Sequence, residues 1–293
     1  MLPFVRGVDM WTWDLIAKHD VVTEGPAWDG TGLRYTEIYA DRLWRYTPAD
    51  GEHSIWRDST GGANGTIFDG EGRYYACEGS ARRIVRYVAG QPTEVIADGH
   101  QGSPFNEPND LAVDAAGRIW FSDPNYGERP LSQPRESVYR ADPTESGWKI
   151  TEVTTDTNRP NGVLLSVDQS ILYVAESPRR QDQRRQLRAY PIQKDGDLGD
   201  YVLLHDFGNG RGVDGMCRAQ GGLIVATAGH RECGPGPAIY VFDDKGLPRS
   251  THAAPADRPT NCTFGGEGGT DLYVTFFGGE VYRVADSGLC GEG

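Results

Sequence analysis

Four polar residues in this sequence have the side-chain chemistry of a divalent-cation site. They are Glu24 in "TEGPAW", Asn109 in "NEPND", Asn161 in "RPNG" and Asp214 in "VDGM". Two carboxylates and two amide oxygens are the hard ligands that Ca²⁺, Mg²⁺ or Mn²⁺ bind. The two carboxylates also match the charge of one divalent ion. Because the four residues are far apart in the sequence, they form a site only if the fold brings them together.

The stretches that contain these residues recur along the chain. Each begins with Glu, Asn or Asp, continues into a short apolar segment and a turn rich in Asp and Gly, and leads to a more apolar segment such as "IWFSDP". A third segment often carries an aromatic residue beside a basic one, as in "LWRYTP". The first residues of the six units, separated by 40, 45, 52, 53 and 47 positions, are Glu24, Asn64, Asn109, Asn161, Asp214 and Asn261. This period, with about four strands a unit, is typical of β-propeller blades.

The sequence therefore predicts an all-β fold, a six-bladed β-propeller with four-stranded blades, made by a single domain over residues 1–293. After Asn261 the chain has room for only about three strands. The N-terminal segment "WDLIAKHDVV" precedes the first unit, and we expect it to supply the outer strand that closes the last blade. Such a closure removes an exposed sheet edge.

This fold would bring the four polar residues together. The first strand of each blade lines the central channel, so residues at matching positions converge on one axis. We expect one bound divalent cation, with Ca²⁺ as the first choice and Mg²⁺, Mn²⁺ or Zn²⁺ as alternatives, held by Glu24, Asn109, Asn161 and Asp214. The competing interpretation is that an Asn or Asp before a turn binds its own backbone. For Asn64 and Asn261, which begin units two and six, this local role is the default expectation.

Composition excludes several classes of partner. The 293 residues carry a formal net charge of −13, which disfavours binding to nucleic acid or to an anionic membrane. No apolar run approaches the ~20 residues of a membrane span, and the first residues do not resemble a signal peptide. We therefore expect a cytoplasmic monomer or small homo-oligomer that acts on a small molecule, with its five scattered cysteines reduced. The absence of G-x-S-x-G, Walker and H-E-x-x-H motifs argues against serine hydrolases, NTPases and zincins.

Several further residues are candidates for substrate contact. His230 in "TAGHRECGPGP" opens a loop of Gly and Pro that could rim the pocket, although an exposed loop histidine is an equal alternative. Asp123, Tyr126 and Arg129 in "SDPNYGER" would lie at the entrance, although "DPNYG" also fits an ordinary turn. The tryptophans are expected to pack between blades rather than to stack on a ligand.

The motifs taken together resemble those of the SMP-30/gluconolactonase/luciferin-regenerating-enzyme family. The resemblance rests on "TEGPAW", "FNEPNDLAVDAAGRIWFSDPNYG", "RPNGVLLSVDQSILYVAES" and "GVDGMCRAQGGLIVATAG", and it covers the chain from residue 22 on. It implies a six-bladed propeller with a divalent metal in the channel and lactonase activity. It also implies that Glu24, Asn161 and Asp214 are metal ligands and that Asn109 is a fourth ligand or a substrate contact.

One position departs from the family pattern. Animal members carry an Arg, a substrate contact, two residues before the Asn that corresponds to Asn109, and Glu107 stands at that position here. Glu107 is therefore a candidate substrate contact of opposite charge. An aldonolactone preference of the animal kind is accordingly not implied.

The predicted function is hydrolysis of a small lactone, sugar-type or related. The cation would act as a Lewis acid on the carbonyl group, and Asp214 as general base toward water or, alternatively, as a nucleophile. Two other functions fit the same site. One is phosphotriester hydrolysis, as in the related calcium-dependent enzymes, and the other is a non-catalytic scaffold whose metal only holds the channel together. The presence of a carboxylate that can act as base favours the enzyme.

Overall fold

The structure is a computed structural model that describes residues 11–178, 180, 182–233 and 235–292. The described residues form 26 strands and two single 3₁₀ turns, Ile38–Ala40 and Glu267–Gly269. All but two of the strands belong to six four-stranded antiparallel sheets. The predicted all-β, six-bladed propeller is therefore confirmed.

The first three blades follow one another directly along the chain. Blade 1 consists of β2 (Thr23–Trp28), β3 (Leu33–Glu37), β4 (Arg42–Thr47) and β5 (Glu52–Asp58). Blade 2 consists of β6 (Ala63–Phe68), β7 (Tyr74–Glu78), β8 (Arg83–Tyr87) and β9 (Glu94–Ala97). A small hairpin of β10 (Gly99–His100) and β11 (Ser103–Pro104) precedes blade 3. Blade 3 consists of β12 (Leu111–Val113), β13 (Ile119–Asp123), β14 (Ser137–Thr144) and β15 (Gly147–Glu152).

The last three blades repeat this order, and blade 6 takes its outer strand from the N-terminal region. Blade 4 consists of β16 (Pro160–Leu165), β17 (Ile171–Glu176), β18 (Arg185–Pro191) and β19 (Val202–Gly208). Blade 5 consists of β20 (Val213–Ala219), β21 (Leu223–Ala228), β22 (Ala238–Phe242) and β23 (Pro248–Ala253). Blade 6 consists of β24 (Pro259–Gly265), β25 (Asp271–Phe276), β26 (Glu280–Val284) and β1 (Asp14–Lys18).

The core lies between the blades, where their faces pack against each other. The second strand of a blade has a strand on each side and a blade on each face, so every residue of β7 and β13 is buried. Aromatic and β-branched residues suit such a pleated, enclosed surface. Between blades 2 and 3, for example, Tyr75 of β7 packs in one cluster with Phe121 and Tyr139. The tryptophans also pack between blades as expected, and Trp120 is fully buried.

The ring is closed by the predicted N-terminal strand and by buried side-chain hydrogen bonds. β1 pairs antiparallel with β26, with Leu15 opposite Tyr282. The chain then enters blade 1 at Thr23, whose buried hydroxyl lies 2.8 Å from the carbonyl oxygen of Glu280 and 3.2 Å from that of Phe276. The same hydroxyl oxygen accepts a hydrogen bond from the backbone N–H of Phe276. Thr23 therefore joins the first and last blades.

We expect Thr23→Val to lower the free energy of unfolding by about 1–3 kcal/mol, because valine keeps the shape but leaves buried backbone groups without their partner. Urea unfolding followed by tryptophan fluorescence would measure the change. Thr251→Val, at an exposed position of β23, is the matched control and should stay within about 0.5 kcal/mol of wild type. Equal stability of the two variants would contradict this role for Thr23.

Candidate metal centre

In five of the six blades a β-bulge presents the second residue of the first strand to the channel, and in blade 6 that residue is Thr260 rather than the expected Asn261. The pairing of β2 with β3 shifts register between Glu24 and Ala27, and equivalent shifts occur in the first strands of blades 2, 4, 5 and 6. A bulge interrupts the ladder and re-aims the neighbouring side chain. In blade 3 the corresponding residue, Asn109, precedes the short strand β12 and donates its backbone N–H to the carbonyl oxygen of Ser122 at 3.0 Å. Residues far apart in the sequence thereby reach one axis.

A glycine follows the channel residue in four blades and lets the first strands approach closely. A Cβ added to Gly25 would lie 2.2 Å from the carbonyl oxygen of Asn64. A Cβ on Gly162 would lie 2.2 Å from the carbonyl oxygen of Asp214. These distances are well inside van der Waals contact, and the facing atoms belong to the backbone, which cannot easily move away. Glycine at these positions therefore sets the spacing of the candidate ligands.

The four predicted cation ligands line a single cavity of about 420 Å³ at the end of the channel where the first strands begin. Tyr126 and His230, two predicted substrate contacts, line the same cavity. Glu107 and Asp123 do not lie on its wall. The remaining lining residues include several arginines, namely Arg159, Arg185, Arg211 and Arg258. The cavity thus combines the candidate ligands with a strongly basic wall.

Glu24 is buried, Asp214 has a side chain only 14% exposed, and the two carboxylates repel each other. Burial raises the pKa of Glu24 well above its ordinary value, and the charge of Asp214 raises it further. Burial also raises the pKa of Asp214, against the opposing effect of the Arg211 guanidinium, which forms an ion pair with Asp214 Oδ2. A divalent cation between the two carboxylates would offset both desolvation and repulsion. The electrostatics therefore fit a cation at this position.

The amide side chains complete an oxygen-rich donor set. Asn109 donates its Nδ2 hydrogen to the Tyr126 hydroxyl, which leaves its amide oxygen available as a ligand. Asn64 Oδ1 is buried and has no hydrogen-bond partner within the described residues, so it too can accept from a bound water or ion. No cluster of three or more His, Cys, Asp or Glu side chains suited to a metal occurs in the described part of the chain. A cation here would need amide and water ligands beside Glu24 and Asp214.

Asn261, in the sixth blade, binds its own backbone as expected and also binds the carboxylate of Glu24. Its Oδ1 accepts the backbone N–H of Cys262 at 2.8 Å. Its Nδ2 donates to Glu24 Oε2 at 3.1 Å, and the backbone N–H of Gly25 donates to the same carboxylate oxygen. These contacts fix the orientation of Glu24.

Glu107 acts on the cavity indirectly, through Tyr126. Glu107 Oε2 accepts the backbone N–H of Tyr126 at 3.1 Å and lies 3.6 Å from the guanidinium of Arg129. Burial raises the pKa of the Tyr126 hydroxyl well above its ordinary value, so the phenol stays protonated at neutral pH. Tyr126 can therefore offer a hydrogen-bond donor to a molecule in the cavity, and Glu107 with Arg129 holds the loop that carries it.

Asp123 lies behind the site and orders the segment that leads to Asn109. Its two carboxylate oxygens each accept a backbone N–H, from Asn106 and from Glu107, both at 2.8 Å. Glu176, at the matching end of β17, accepts the backbone N–H of Arg159, two residues before Asn161. In both blades, an acid at the end of the second strand anchors the approach to a channel asparagine.

Burial raises the pKa of Asp123 to about 7, despite the two backbone donors that oppose the shift. A carboxyl whose folded pKa exceeds its unfolded value contributes stability at low pH and loses that contribution as the pH rises through the folded pKa. We therefore expect wild type to lose stability relative to Asp123→Asn between about pH 4 and pH 7. Each pKa unit corresponds to about 1.4 kcal/mol, so the relative loss is a few kcal/mol at most. Urea unfolding across this range measures it, and parallel pH curves would contradict it.

Sequence reasoning missed all four arginines of the cavity wall and the buried Asp110, whose charge acts on Glu24. Arg211, three positions before Asp214, donates to that carboxylate and, from Nη1, to the carbonyl oxygens of Gly229 and Pro259. Asp110 stands where four blades have glycine, and burial raises its pKa to about 7. Its Oδ2 accepts the backbone N–H of Val163 in blade 4 at 3.1 Å, and its side chain lines a second cavity, of about 440 Å³, at the other end of the first strands. The signal in the sequence was the last residue of "NEPND": an Asp follows the channel asparagine in blade 3, whereas a Gly follows the channel residue in four other blades.

These features define the class of the molecule: a six-bladed β-propeller with a candidate divalent-cation centre on its axis. The model of the SMP-30/Gluconolactonase/LRE-like region matches residues 22–277. The chain therefore belongs to this family. Within the described residues, the only helical segments are short 3₁₀ turns, and none has the length and apolar character to cross a lipid bilayer.

Comparison with individual proteins gives relatives along most of the chain. A gluconolactonase from Zymomonas mobilis subsp. mobilis is 25% identical, over 89% of this chain and 78% of its own length. The structure of a gluconolactonase from Xanthomonas campestris superposes with a TM-score of 0.81 at 26% identity, covering 96% of this chain and 90% of that one. A calcium-binding protein, regucalcin from Agrobacterium tumefaciens, has the same fold, with a TM-score of 0.77, 16% identity and 96% coverage of both chains.

Proposed function

We propose that this protein is a divalent-metal-dependent lactonase that opens a small, sugar-type or related lactone. The observation that carries the proposal is a pair of carboxylates on the wall of one cavity with amide oxygens beside them: Glu24, which is buried, and Asp214, whose side chain is only 14% exposed. Buried carboxylates of raised pKa are unfavourable unless a cation or a proton offsets them. The names of the two gluconolactonase relatives support a lactone as the substrate.

The residues proposed to hold the cation are Glu24, Asn109, Asn161 and Asp214, and Ca²⁺ suits such a set of oxygen donors. A bound divalent cation supplies Lewis-acid polarisation of the lactone carbonyl group and stabilises negative charge that develops on its oxygen. The remaining chemistry belongs to the side chains of the cavity. We propose that the hydroxyl of Tyr126 donates a hydrogen bond to the bound molecule, since Tyr126, like His230, lines the cavity.

Asp214 is the proposed general base. Its carboxylate accepts a proton from water as the water oxygen bonds to the lactone carbonyl carbon. The ring C–O bond then breaks, and the proton passes to the ring oxygen, which gives a hydroxy acid. The ion pair with Arg211 favours the ionised form of Asp214 that this step requires, and the hydrogen bond from Asn161 does the same. Direct attack by Asp214 on the carbonyl carbon is the alternative.

A panel of lactones and phosphotriesters, assayed with and without chelator, tests the proposal. We expect hydrolysis of D-glucono-1,5-lactone or another small lactone that EDTA abolishes and Ca²⁺, Mg²⁺, Mn²⁺ or Zn²⁺ restores. The restoring ion should also raise the melting temperature, because it binds the folded state. If only phosphotriesters are hydrolysed in a metal-dependent way, the protein is a phosphotriesterase and the lactonase proposal fails. If no substrate is hydrolysed in a metal-dependent way, the remaining interpretation is a non-catalytic scaffold.

A further inference from the structure

The cavity wall carries four arginines and two carboxylates, although the whole chain has a net charge of −13. A cation bound between the two carboxylates would cancel their charge. The four guanidinium groups would then give the cavity wall a net positive charge. The local charge is therefore opposite to the charge of the protein as a whole.

Two of the four arginines are occupied by the protein itself. Arg211 forms the ion pair with Asp214 and donates to two backbone carbonyl oxygens. Arg258 stacks on Phe277, with its guanidinium carbon 3.8 Å from the ring centre, and its Nε lies 3.5 Å from Asp257. Both side chains therefore have partners within the protein, although Arg258 Nε, like Arg159 Nε, is buried without a hydrogen-bond acceptor in the described residues.

Arg159 and Arg185, both in blade 4, have no carboxylate partner within the described residues. The guanidinium of Arg159 lies over the ring of Tyr126 at 5.0 Å, and its Nε is buried without a hydrogen-bond acceptor in the described part of the chain. Among the described residues, Arg185 donates only to the backbone carbonyl oxygens of Arg180 and Gln183, at 3.2 and 2.8 Å. Burial, and then the charge of Arg159, lowers the pKa of Arg185. Both guanidinium groups therefore line the cavity without a carboxylate in salt-bridge contact among the described residues, and the only acid that Arg159 acts on electrostatically is the candidate metal ligand Asp214.

Two partly desolvated guanidinium groups without an acidic partner are unfavourable unless an anion binds between them. Guanidinium groups bind carboxylate, sulfonate and phosphate oxygens through paired, charge-assisted hydrogen bonds. We propose that Arg159 and Arg185 form an anion subsite beside the cation centre, and that the preferred lactone carries an oxyanion group away from its reacting carbonyl. This inference rests on the proposed lactonase function and specifies its substrate class.

The alternative role for the arginine pair is at the reacting carbonyl or at the carboxylate that every lactone yields. In that role the arginines would act equally on neutral and on anionic lactones. A matched pair of substrates separates the two roles. D-Glucaro-1,4-lactone and D-glucono-1,4-lactone share the ring and its configuration, and they differ in a carboxylate against a hydroxymethyl group at C6.

We expect wild type to have a kcat/KM at least about tenfold higher for the glucarolactone than for the gluconolactone, since charge-assisted hydrogen bonds are the strong ones. In Arg185→Gln and in Arg159→Gln this ratio should fall by at least about tenfold. The control is Arg249→Gln, an exposed arginine of β23 that pairs with Asp243, and its ratio should equal that of wild type. No preference for the anionic lactone, or an equal loss with both lactones, would overturn the proposal.

A binding measurement keeps the subsite testable apart from catalysis. Calorimetric titration with D-glucarate and with D-gluconate, which keeps the C1 carboxylate but has a hydroxymethyl group at C6, requires no turnover. We expect glucarate to bind wild type at least about tenfold more tightly than either arginine variant, and gluconate to show no such difference. If no lactone is hydrolysed but this pattern appears, the proposed function fails and the anion subsite stands. Equal glucarate affinity in wild type and variants would overturn the subsite whatever the enzymatic result.

Discussion

Asp214→Asn should reduce kcat for lactone hydrolysis by at least about a hundredfold while the protein keeps its propeller fold. The amide cannot accept the proton from water, and general-base catalysis of this kind contributes about a hundred- to ten-thousandfold. The amide oxygen remains a possible ligand, so a cation can still bind, with lower affinity after the loss of one charge. Steady-state kinetics on the best lactone, with the circular dichroism spectrum as the check on folding, measures the effect.

Asp58→Asn is the matched control for this variant. Asp58 ends the outer strand β5, its side chain is 67% exposed, and it lies 3.6 Å from Arg42. Because such an exposed ion pair contributes little, the control should keep wild-type kcat and stability. Wild-type turnover by Asp214→Asn would remove Asp214 from the mechanism, both as base and as nucleophile.

Gly162→Ala should destabilise the protein by about 3 kcal/mol or more and weaken cation binding. The added methyl group would lie 2.2 Å from the carbonyl oxygen and 3.2 Å from the carbonyl carbon of Asp214. Overpacking of well-packed regions costs about 1–3 kcal/mol, and more where the neighbour is backbone. Relief of the clash would separate the first strands of blades 4 and 5, which carry Asn161 and Asp214. Urea unfolding and calcium titration of the purified variant measure the two effects.

Gly70→Ala is the matched control, because it makes the same substitution at a position where the added methyl group contacts nothing. Gly70 lies in the turn between β6 and β7, and an added Cβ there would have no atom within 4 Å. It should unfold at wild-type urea concentration and bind the cation with wild-type affinity. If Gly162→Ala behaved like Gly70→Ala, the close approach of the first strands would not be what spaces the ligands.

Much of the fold was predictable from the sequence because each blade of a propeller is formed largely by one continuous segment of the chain. The recurrence of polar openers at 40–53 residues predicted the six units, and the three strands left after Asn261 predicted closure by the N-terminal segment. The prediction worked since hydrogen bonds within a blade join segments that are neighbours in sequence. Among the strands that the structure describes, only β1 pairs with a strand distant in sequence, with Leu15 opposite Tyr282.

The wall of the site was less predictable, because strand ends and loops carry residues that look alike in sequence. Asp123 and Tyr126 are three positions apart, yet Tyr126 lines the cavity while Asp123 binds backbone N–H groups behind it. Glu107 likewise holds the backbone of Tyr126 rather than lining the cavity. Their catalytic and binding roles stay predictions, as does the single domain over residues 1–293.

The sequence by itself determined the six blades and the residue types that converge on the axis, since both follow from a repeat whose period is visible in one dimension. Tertiary structure alone decided which charges face one another. The pairing of Arg211 with Asp214 depends on side-chain directions and burial around a closed ring, and so does the presence of Arg159 and Arg185 on the wall of one cavity. Electrostatic energy varies with distance and desolvation, and neither quantity is written in the order of the residues.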